Sequence, residues 1–223
     1  MLLADRATAY IRHLIALRRL GPGDRVNEVD IASQLQISRG PVREAIRRLC
    51  STGLLIGERN FGSRVVRLDE DSVQRLYEVR EALEAMAARL SAERMTQPEK
   101  RALVLMLDEH EAAIADGSSD AYPAGSTDWD FHLAILRGAR NEIVWRICGH
   151  DLRDLISLVR SRHGTMQGRG KRALQEHRWI SEAIAEGDAD LAGLLMAKHI
   201  RASRETLLAL MRRDGEKAWP TDL

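Results

Sequence analysis

Four residues in the second half of the chain could together bind a metal ion. Asp128 and His132 are four residues apart, so in a helix both side chains project from one face about one turn apart. His177 lies about ten residues before the dipeptide Gly187-Asp188, and His199 lies about eleven after it. A glycine stop followed by an aspartate cap predicts a tight turn between antiparallel helices, which would place the two histidines at similar heights. One carboxylate and three imidazoles suit a divalent transition ion, namely Zn, Ni, Mn or Fe.

The same residues also have simpler interpretations. An Asp–His pair at this spacing is often a helix-surface pair, and a core histidine is more often hydrogen-bonded than metal-bound. For the other histidines a solvated or hydrogen-bonded role is expected: His13, His110, His150 and His163. The spacing therefore allows a metal site and leaves these alternatives open.

A second group of residues is suited to nucleic acid. Between Val26 and Leu49 two short apolar-periodic segments flank a break, and Ser38 can cap the second segment through its side-chain oxygen. One face of the second segment is apolar: Val42, Ala45, Ile46 and Leu49. Arg39, Arg43 and Arg47 repeat every four residues and form a separate cationic stripe. A solvated arginine face is one interpretation, and a helix that enters the DNA major groove is the other.

The surrounding elements favour the DNA interpretation. Residues 3–18 predict a helix that packs on the two segments, with Tyr10, Leu14 and Leu17 sharing a face with Ala7. Residues 53–56 and 64–67 predict two strands of a hairpin, joined by a basic, glycine-containing loop over 57–63. A helix, a turn, a second helix and a hairpin make a winged helix-turn-helix, which we assign to residues 1–68.

The motifs of this segment resemble the N-terminal domain of GntR-family transcription regulators. The resemblance covers roughly residues 10–67 and rests on Gly21-Pro22-Gly23-Asp24, Glu28, Ile37 through Ile46, Leu49 and Gly53-Leu54. It implies DNA contacts at Ser38, Arg39, Arg43 and the wing-tip Gly62, and the cationic stripe adds Arg47 to them. Some members of the family carry a DNA-contacting arginine where this chain has Val29, so that contact is not expected here.

The remainder, residues 69–223, predicts an all-helical domain. Six helices are expected, at about 71–94, 98–116, 126–138, 141–162, 171–186 and 188–213, and no strand signal follows residue 68. Ligand sites in such bundles lie between facing helices. The fold class is therefore mainly α, a winged helix-turn-helix with a small β-hairpin wing followed by a six-helix bundle.

The bundle is similar to the FCD ligand-binding domain of the FadR-type branch of GntR regulators. The similarity rests on residues 128–132, Arg140-Asn141, residues 176–180 and His199, and six helices resemble the VanR-type subgroup. It implies that Asp128, His132, His177 and His199 bind the metal, and that the metal anchors the carboxylate of a small organic-acid effector.

Arg80 has two interpretations. It follows an apolar helical face, and Glu84 at i+4 could pair with it on the surface for a few tenths of a kcal/mol. The FCD resemblance instead implies an arginine that points into the effector cavity, where its guanidinium fork matches a carboxylate.

Charge is divided unevenly along the chain. Residues 1–67 hold 12 arginines, no lysine and 6 acidic residues, a net charge of +6, whereas the remainder holds 22 basic and 27 acidic residues, a net charge of −5. The basic part suits DNA phosphates, and the acidic part does not. No apolar run approaches the roughly 20 residues that span a bilayer. Two distant cysteines, Cys50 and Cys148, fit reduced thiols, so a cytoplasmic protein without a membrane partner is expected.

These features together predict a DNA-binding transcription regulator, a repressor, that binds double-stranded operator DNA as a homodimer. A small carboxylate effector at the metal site would control its DNA affinity. Activity as an enzyme is not expected, because no separate general base or nucleophile is recognisable and Glu176, next to His177, would point elsewhere. The alternatives are a metal-dependent enzyme fused to a DNA-binding domain and a regulator whose metal is purely structural.

Overall fold

The computed structural model describes residues 2–58, 62–115, 127–160 and 169–214. The chain divides into two compact units. Among the described residues, one unit comprises 2–58 and 62–69 with Arg212–Asp214, and the other lies within Glu70–Met211.

The first unit combines three helices with a small sheet. Its elements are α1 (Leu3–Ala16), β1 (Arg25–Val26), α2 (Glu28–Leu35), α3 (Arg39–Ser51), β2 (Leu55–Glu58) and β3 (Gly62–Val65). The sheet is antiparallel with the order β1-β3-β2, and Arg64 of β3 lies between Arg25 and Ile56. The predicted hairpin therefore exists, with strands shifted about two residues toward the turn. The two-residue β1 was not predicted, because so short a strand carries no alternation in the sequence.

The core of the first unit fits the prediction for α3 and corrects that for α1. The buried residues of α3 are Val42, Ala45, Ile46 and Leu49, so its arginines face outward. On α1 the buried face is formed by Ala7, Ile11 and Ile15, while Leu17 is exposed. The predicted face was therefore rotated on the helix. Two adjacent apolar stripes compete there, and only the packing against α3 selects one.

The helix caps of this unit also differ from expectation. Asn27 caps α2, since its Oδ1 accepts a hydrogen bond from the Val29 amide at 3.0 Å. Ser38 occupies the N-cap position of α3 with an extended backbone, but its hydroxyl makes no capping hydrogen bond. The predicted side-chain cap at Ser38 was therefore wrong.

The second unit is helical throughout its described residues. Its elements are α4 (Glu70–Arg94), α5 (Gln97–Ala115), α6 (Thr127–Gly138), α7 (Glu142–Val144), a π-helical segment (Trp145–Asp151), α8 (Arg153–Arg160), α9 (Arg169–Glu186) and α10 (Ala189–Asp214). Five of the six predicted helices appear with boundaries close to those expected.

The continuous helix predicted at 141–162 was wrong. The chain widens into a π-helical segment, in which the Leu152 amide donates to the Ile147 carbonyl five residues back. Gly149 lies in this segment, and a Cβ atom there would approach the Trp145 ring to 2.8 Å. The wider turn breaks the 3.6-residue period on which the prediction depended.

The turn at Gly187-Asp188 is formed as predicted. Gly187 has a φ of +81°, a left-handed conformation that favours glycine, and Asp188 Oδ1 accepts a hydrogen bond from the Leu191 amide at 3.0 Å. Both cysteines are free thiols, and Cys148 is fully buried. Burial, together with the charge of Glu84, raises the pKa of Cys148 to about 12. None of the described helices is long and apolar enough to cross a membrane.

Two leucines of α5 test this packing. Leu107 is fully buried, whereas Leu105 is 62% exposed. Replacing Leu107 with Ala should lower the free energy of unfolding by about 2–5 kcal/mol, because it removes buried methyl groups and leaves a cavity. Leu105→Ala should change it by no more than about 0.5 kcal/mol. Urea denaturation followed by circular dichroism measures both, and equal losses would contradict the placement of α5.

Candidate functional site

Three of the four predicted metal ligands converge in the interior of the second unit. His132 on α6, His177 on α9 and His199 on α10 are all buried. Each histidine offers one ring nitrogen, and these three nitrogens all lie within 4.8 Å of one another. The Nε2 atoms of His177 and His199 are 3.3 Å apart, facing each other as the helix hairpin predicts. The backbone of Asp128 belongs to the first turn of α6, but its side chain lies outside the described residues.

Two carboxylates hold two of the three histidine rings through their Nδ1 atoms. His132 Nδ1 lies 2.5 Å from Glu84 Oε2, and His199 Nδ1 lies 2.7 Å from Glu176 Oε2. An ionised carboxylate only accepts hydrogen bonds, so each of these Nδ1 atoms carries the proton. The Nε2 atoms of both rings are then lone-pair donors. The prediction that Glu176 points elsewhere was wrong, since a residue adjacent to His177 still reaches the neighbouring helix.

Packing fixes the third ring. Phe131 stacks on His177 with 4.1 Å between ring centroids and an interplanar angle of 22°. Phe131 is fully buried, so the stacked pair has little room to rotate. An apolar residue next to His132 in sequence thus positions a histidine from a different helix.

Arg80 is buried beside this cluster. Its side chain is 1% exposed, its Nε donates to Glu84 Oε1 at 2.8 Å, and its guanidinium lies 4.6 Å from the centroid of the Tyr77 ring. The i+4 pair with Glu84 is formed, but it is buried, so the interpretation of Arg80 as a surface residue was wrong. Within the described part of the chain, Arg80 Nη1 and the Tyr77 hydroxyl are buried without a hydrogen-bond partner. Such atoms are costly unless a ligand or water binds them.

Glu84 is ionised at this depth because of its neighbours. Burial by itself would raise the pKa of Glu84, but the charge of Arg80 and the hydrogen bonds from His132 and Arg80 outweigh it and hold the pKa far below its usual range. Glu84 is 1% exposed, so the carboxylate depends on these two partners rather than on water.

The cationic stripe on α3 is exposed and has acidic partners. Glu28 of α2 accepts from Arg43 Nε at 2.9 Å and from Arg39 Nη2 at 3.3 Å. Partial burial alone would raise the pKa of Glu28, but these two arginines lower it below its ordinary value. The side chains of Arg39 and Arg43 remain 55% and 58% exposed, so most of each guanidinium faces solvent. Surface pairs of this kind contribute about 0–1 kcal/mol, and phosphates can replace them.

The other predicted DNA contacts are also at the surface of the first unit. Arg47 is 75% exposed and pairs with Glu44 at 2.5 Å. Ser38 is exposed at the start of α3. Gly62 is exposed at the start of β3 with a φ of +85°, which explains a glycine at this end of the wing.

Comparison with known proteins fits both halves of this arrangement. Residues 3–65 match the bacterial regulatory proteins of the gntR family, and residues 75–202 match the FCD domain. The chain belongs to the FCD-containing GntR family of transcription regulators. The matched families are regulators rather than enzymes, as the sequence predicted. This regulator therefore has a DNA-binding winged helix-turn-helix and an FCD domain that contains the histidine cluster.

Relatives match nearly the whole length of the regulator. It is 29% identical over 95% of its residues to the uncharacterized HTH-type transcriptional regulator YdhC of Bacillus subtilis, covering 97% of that protein. It is 31% identical over 89% of its residues to the probable D-xylose utilization operon transcriptional repressor of Paenarthrobacter nicotinovorans, covering 86% of that protein. The structure of E. coli McbR/YncC, 19% identical, shares the fold with a TM-score of 0.82 and covers 94% of this chain and 99% of that one.

Sequence reasoning missed contacts of the acidic residues at both sites, since it paired Glu84 with Arg80 but not with His132. Glu84 continues the buried stripe of α4 on which Arg80 lies, and two ionisable residues inside an apolar stripe were a usable signal. Glu28 was noted as part of a motif but not as a partner of the arginines. For Glu176 no sequence signal exists, because its partner His199 is 23 residues away.

The arginine face gives a direct prediction. In Arg39→Ala, Arg43→Ala and Arg47→Ala, affinity for an operator selected from random DNA should fall without a change in folding. Loss of a base contact should cost about 1–3 kcal/mol and relax one operator position, while loss of a phosphate contact should weaken all sequences alike. Gel-shift titrations on operator and scrambled DNA separate the two.

The matched control for this experiment is Arg101→Ala, at an exposed arginine of α5 outside the DNA-binding unit. It should leave operator affinity unchanged. Wild-type affinity in all three α3 variants would show that α3 is not the recognition helix.

Proposed function

We propose that this regulator is a repressor whose affinity for operator DNA is controlled by a small organic acid bound at a metal site in the FCD domain. Residues 1–68 would form the DNA-binding domain and residues 69–223 the effector-binding and dimerisation domain. The observation that carries the proposal is the convergence of His132, His177 and His199 beside the buried Arg80.

The donor set fits a divalent transition ion. Coordination needs neutral imidazole with a free lone pair, and the carboxylates behind His132 and His199 direct the Nε2 lone pairs inward. The Nε2 atoms of His177 and His199 are 3.3 Å apart, within hydrogen-bond distance, and with His199 protonated at Nδ1 the donor is His177 Nε2–H; a bound cation would take the place of this proton. Asp128 would supply an oxygen ligand. Zn, Ni, Mn and Fe all accept such a set, and any of them would supply the positive charge that attracts a carboxylate.

Arg80 is suited to bind a carboxylate of an acidic effector. Its Nε is engaged by Glu84, whereas Nη1 has no partner among the described residues. The guanidinium is held by an ion pair and by the Tyr77 ring, so its orientation is set before a ligand arrives. A carboxylate that contacts this guanidinium in a buried site forms a charge-assisted hydrogen bond, roughly twice as strong as a neutral one.

The DNA contacts we propose are Ser38, Arg39, Arg43 and Arg47 on α3 and Gly62 at the wing. The exposed arginines can exchange Glu28 and Glu44 for phosphates or base edges. The Ser38 hydroxyl, which makes no capping bond, is available to a phosphate oxygen.

Control of DNA binding follows from geometry and linkage. A homodimer reads two operator half-sites at a fixed spacing, so both recognition helices must match that spacing. An effector that binds the mismatched arrangement more tightly shifts the population toward it and releases the operator. Repression relieved by the effector is the sign we propose, and one relative carries a repressor's name. Such a protein acts in the cytoplasm, where the operator is.

Removal of a ligand tests the metal site. His177→Ala should bind Zn²⁺ or Ni²⁺ at least about tenfold more weakly than the wild type, because one of the few donors is lost, and removal of two histidines should abolish binding. His150→Ala is the control, since His150 is exposed and pairs with Asp151 in the π-helical segment. Elemental analysis and titration calorimetry measure both.

The same variant tests the purpose of the site. His177→Ala should still bind operator DNA, because the DNA-binding unit does not contain the site, but it should lose release by organic acids. An unaltered response to an acid, in a protein that holds no metal, would refute the proposal. If loss of the metal also abolished DNA binding, and no organic acid produced a response, a purely structural metal would be favoured.

The oligomeric state gives a separate prediction. The full chain should sediment as a dimer at micromolar concentration, with one dimer bound per palindromic operator. Analytical ultracentrifugation with and without a fluorescent operator duplex measures both. A protein that is monomeric in solution and binds as a single chain per operator duplex would contradict the dimer.

A further inference from the structure

The carboxylate of Glu84 accepts hydrogen bonds from both the arginine and a histidine of the buried site. Glu84 Oε1 accepts from Arg80 Nε at 2.8 Å, and Glu84 Oε2 accepts from His132 Nδ1 at 2.5 Å. All three side chains are at most 1% exposed. Water therefore cannot easily replace either hydrogen bond, and each partner depends on Glu84 itself.

We propose that Glu84 is the positioning residue of the site, which fixes the tautomer of His132 and the orientation of Arg80 at the same time. The histidine would bind the metal and the arginine the effector, so the inference rests on the proposed function and deepens it. Because Glu84 contacts both residues, a change at Arg80 alters the environment of His132, and a change at His132 alters that of Arg80.

The argument depends on how many acceptors a side chain offers. Arg80 Nε is always a donor, and His132 must donate from Nδ1 if its Nε2 lone pair is to face the other histidines. A carboxylate can accept both protons. An amide has only one acceptor oxygen, so Gln at position 84 must place its NH₂ group against one of these two donors. Arginine offers only donors, so the imidazole must change instead. Its proton moves from Nδ1 to Nε2, and Nδ1 then accepts from the glutamine NH₂ group.

Glu176 is the natural comparison, because it also accepts from the Nδ1 of a clustered histidine. Its side chain is 13% exposed, and its second oxygen faces Arg172 at 3.4 Å, whose side chain is 75% exposed. An amide there can keep its oxygen toward His199 and turn its NH₂ group toward water. The two glutamates thus share one contact with a histidine but differ in the second contact.

Zinc titration of the full chain measures the difference. Glu84→Gln should bind Zn²⁺ at least about tenfold more weakly than the wild type, within the range typical of a lost outer partner. Glu176→Gln should lose clearly less. Glu182→Gln, at an exposed glutamate of α9, should match the wild type. Equal losses at positions 84 and 176 would overturn the proposal.

A double variant provides the rescue. In Arg80→Met/Glu84→Gln the competing donor is absent, so the glutamine oxygen can accept from His132 Nδ1 and Zn²⁺ affinity should recover most of the loss. The double variant also buries no charge, so it should fold even where Glu84→Gln alone does not. Losses that add in the double variant would show that Glu84 has only a packing role.

The tautomer itself can be read without metal. In the metal-free wild type, ¹⁵N NMR of the histidine rings should show His132 protonated at Nδ1, and in Glu84→Gln a substantial share should move to Nε2. An unchanged tautomer would overturn the role of Glu84. Because this measurement needs no ion, it judges Glu84 even if the wild type binds no Zn²⁺, which would instead refute the metal site in the proposed function.

Discussion

A buried ionic group links two helices of the second unit. Arg80 and Glu84 lie one turn apart on the inward face of α4, and His132 completes the group from α6. An isolated Arg80 or Glu84 charge would cost several kcal/mol at this depth, so each of these two charges depends on the other. The hydrogen bond between Glu84 and His132 joins α4 to α6. Arg80 Nη1 is buried without a hydrogen-bond partner in the described structure. The group that costs stability therefore also contains a buried donor that remains unsatisfied.

The histidine cluster shows how a site can be built from rigid elements. Each histidine comes from a different helix, and each ring is held by something other than a metal. Carboxylates hold His132 and His199, and Phe131 holds His177 by stacking. A site arranged in this way needs little reorganisation when a ligand binds, which lowers the cost of binding. The arginine face of α3 in the first unit is held differently. Its arginines are exposed, and their pairs with Glu28 and Glu44 are weak and screened by salt, so these pairs are readily exchanged for other anions.

Local patterns predicted much of the molecule. The apolar face of α3, the hairpin after it and the turn at Gly187-Asp188 all follow from side-chain periodicity or from a backbone preference within a few residues. The places where prediction failed share one cause. The α1 face, the strand β1 and the π-helical segment at Trp145–Asp151 each depend on what the element packs against, which a local period does not contain.

The sequence by itself determined that the chain has a helix with a basic face and a helical domain with histidines spaced for one cluster. Composition and periodicity are enough for this, because charge and amphipathic faces are local properties. Tertiary structure alone decided that Arg80 is buried rather than on the surface, and that Glu84 and Glu176 back the histidines. Hydrogen bonds between residues 23 to 48 positions apart depend on how helices cross. The crossing is fixed by the whole core, so no stretch of sequence encodes it on its own.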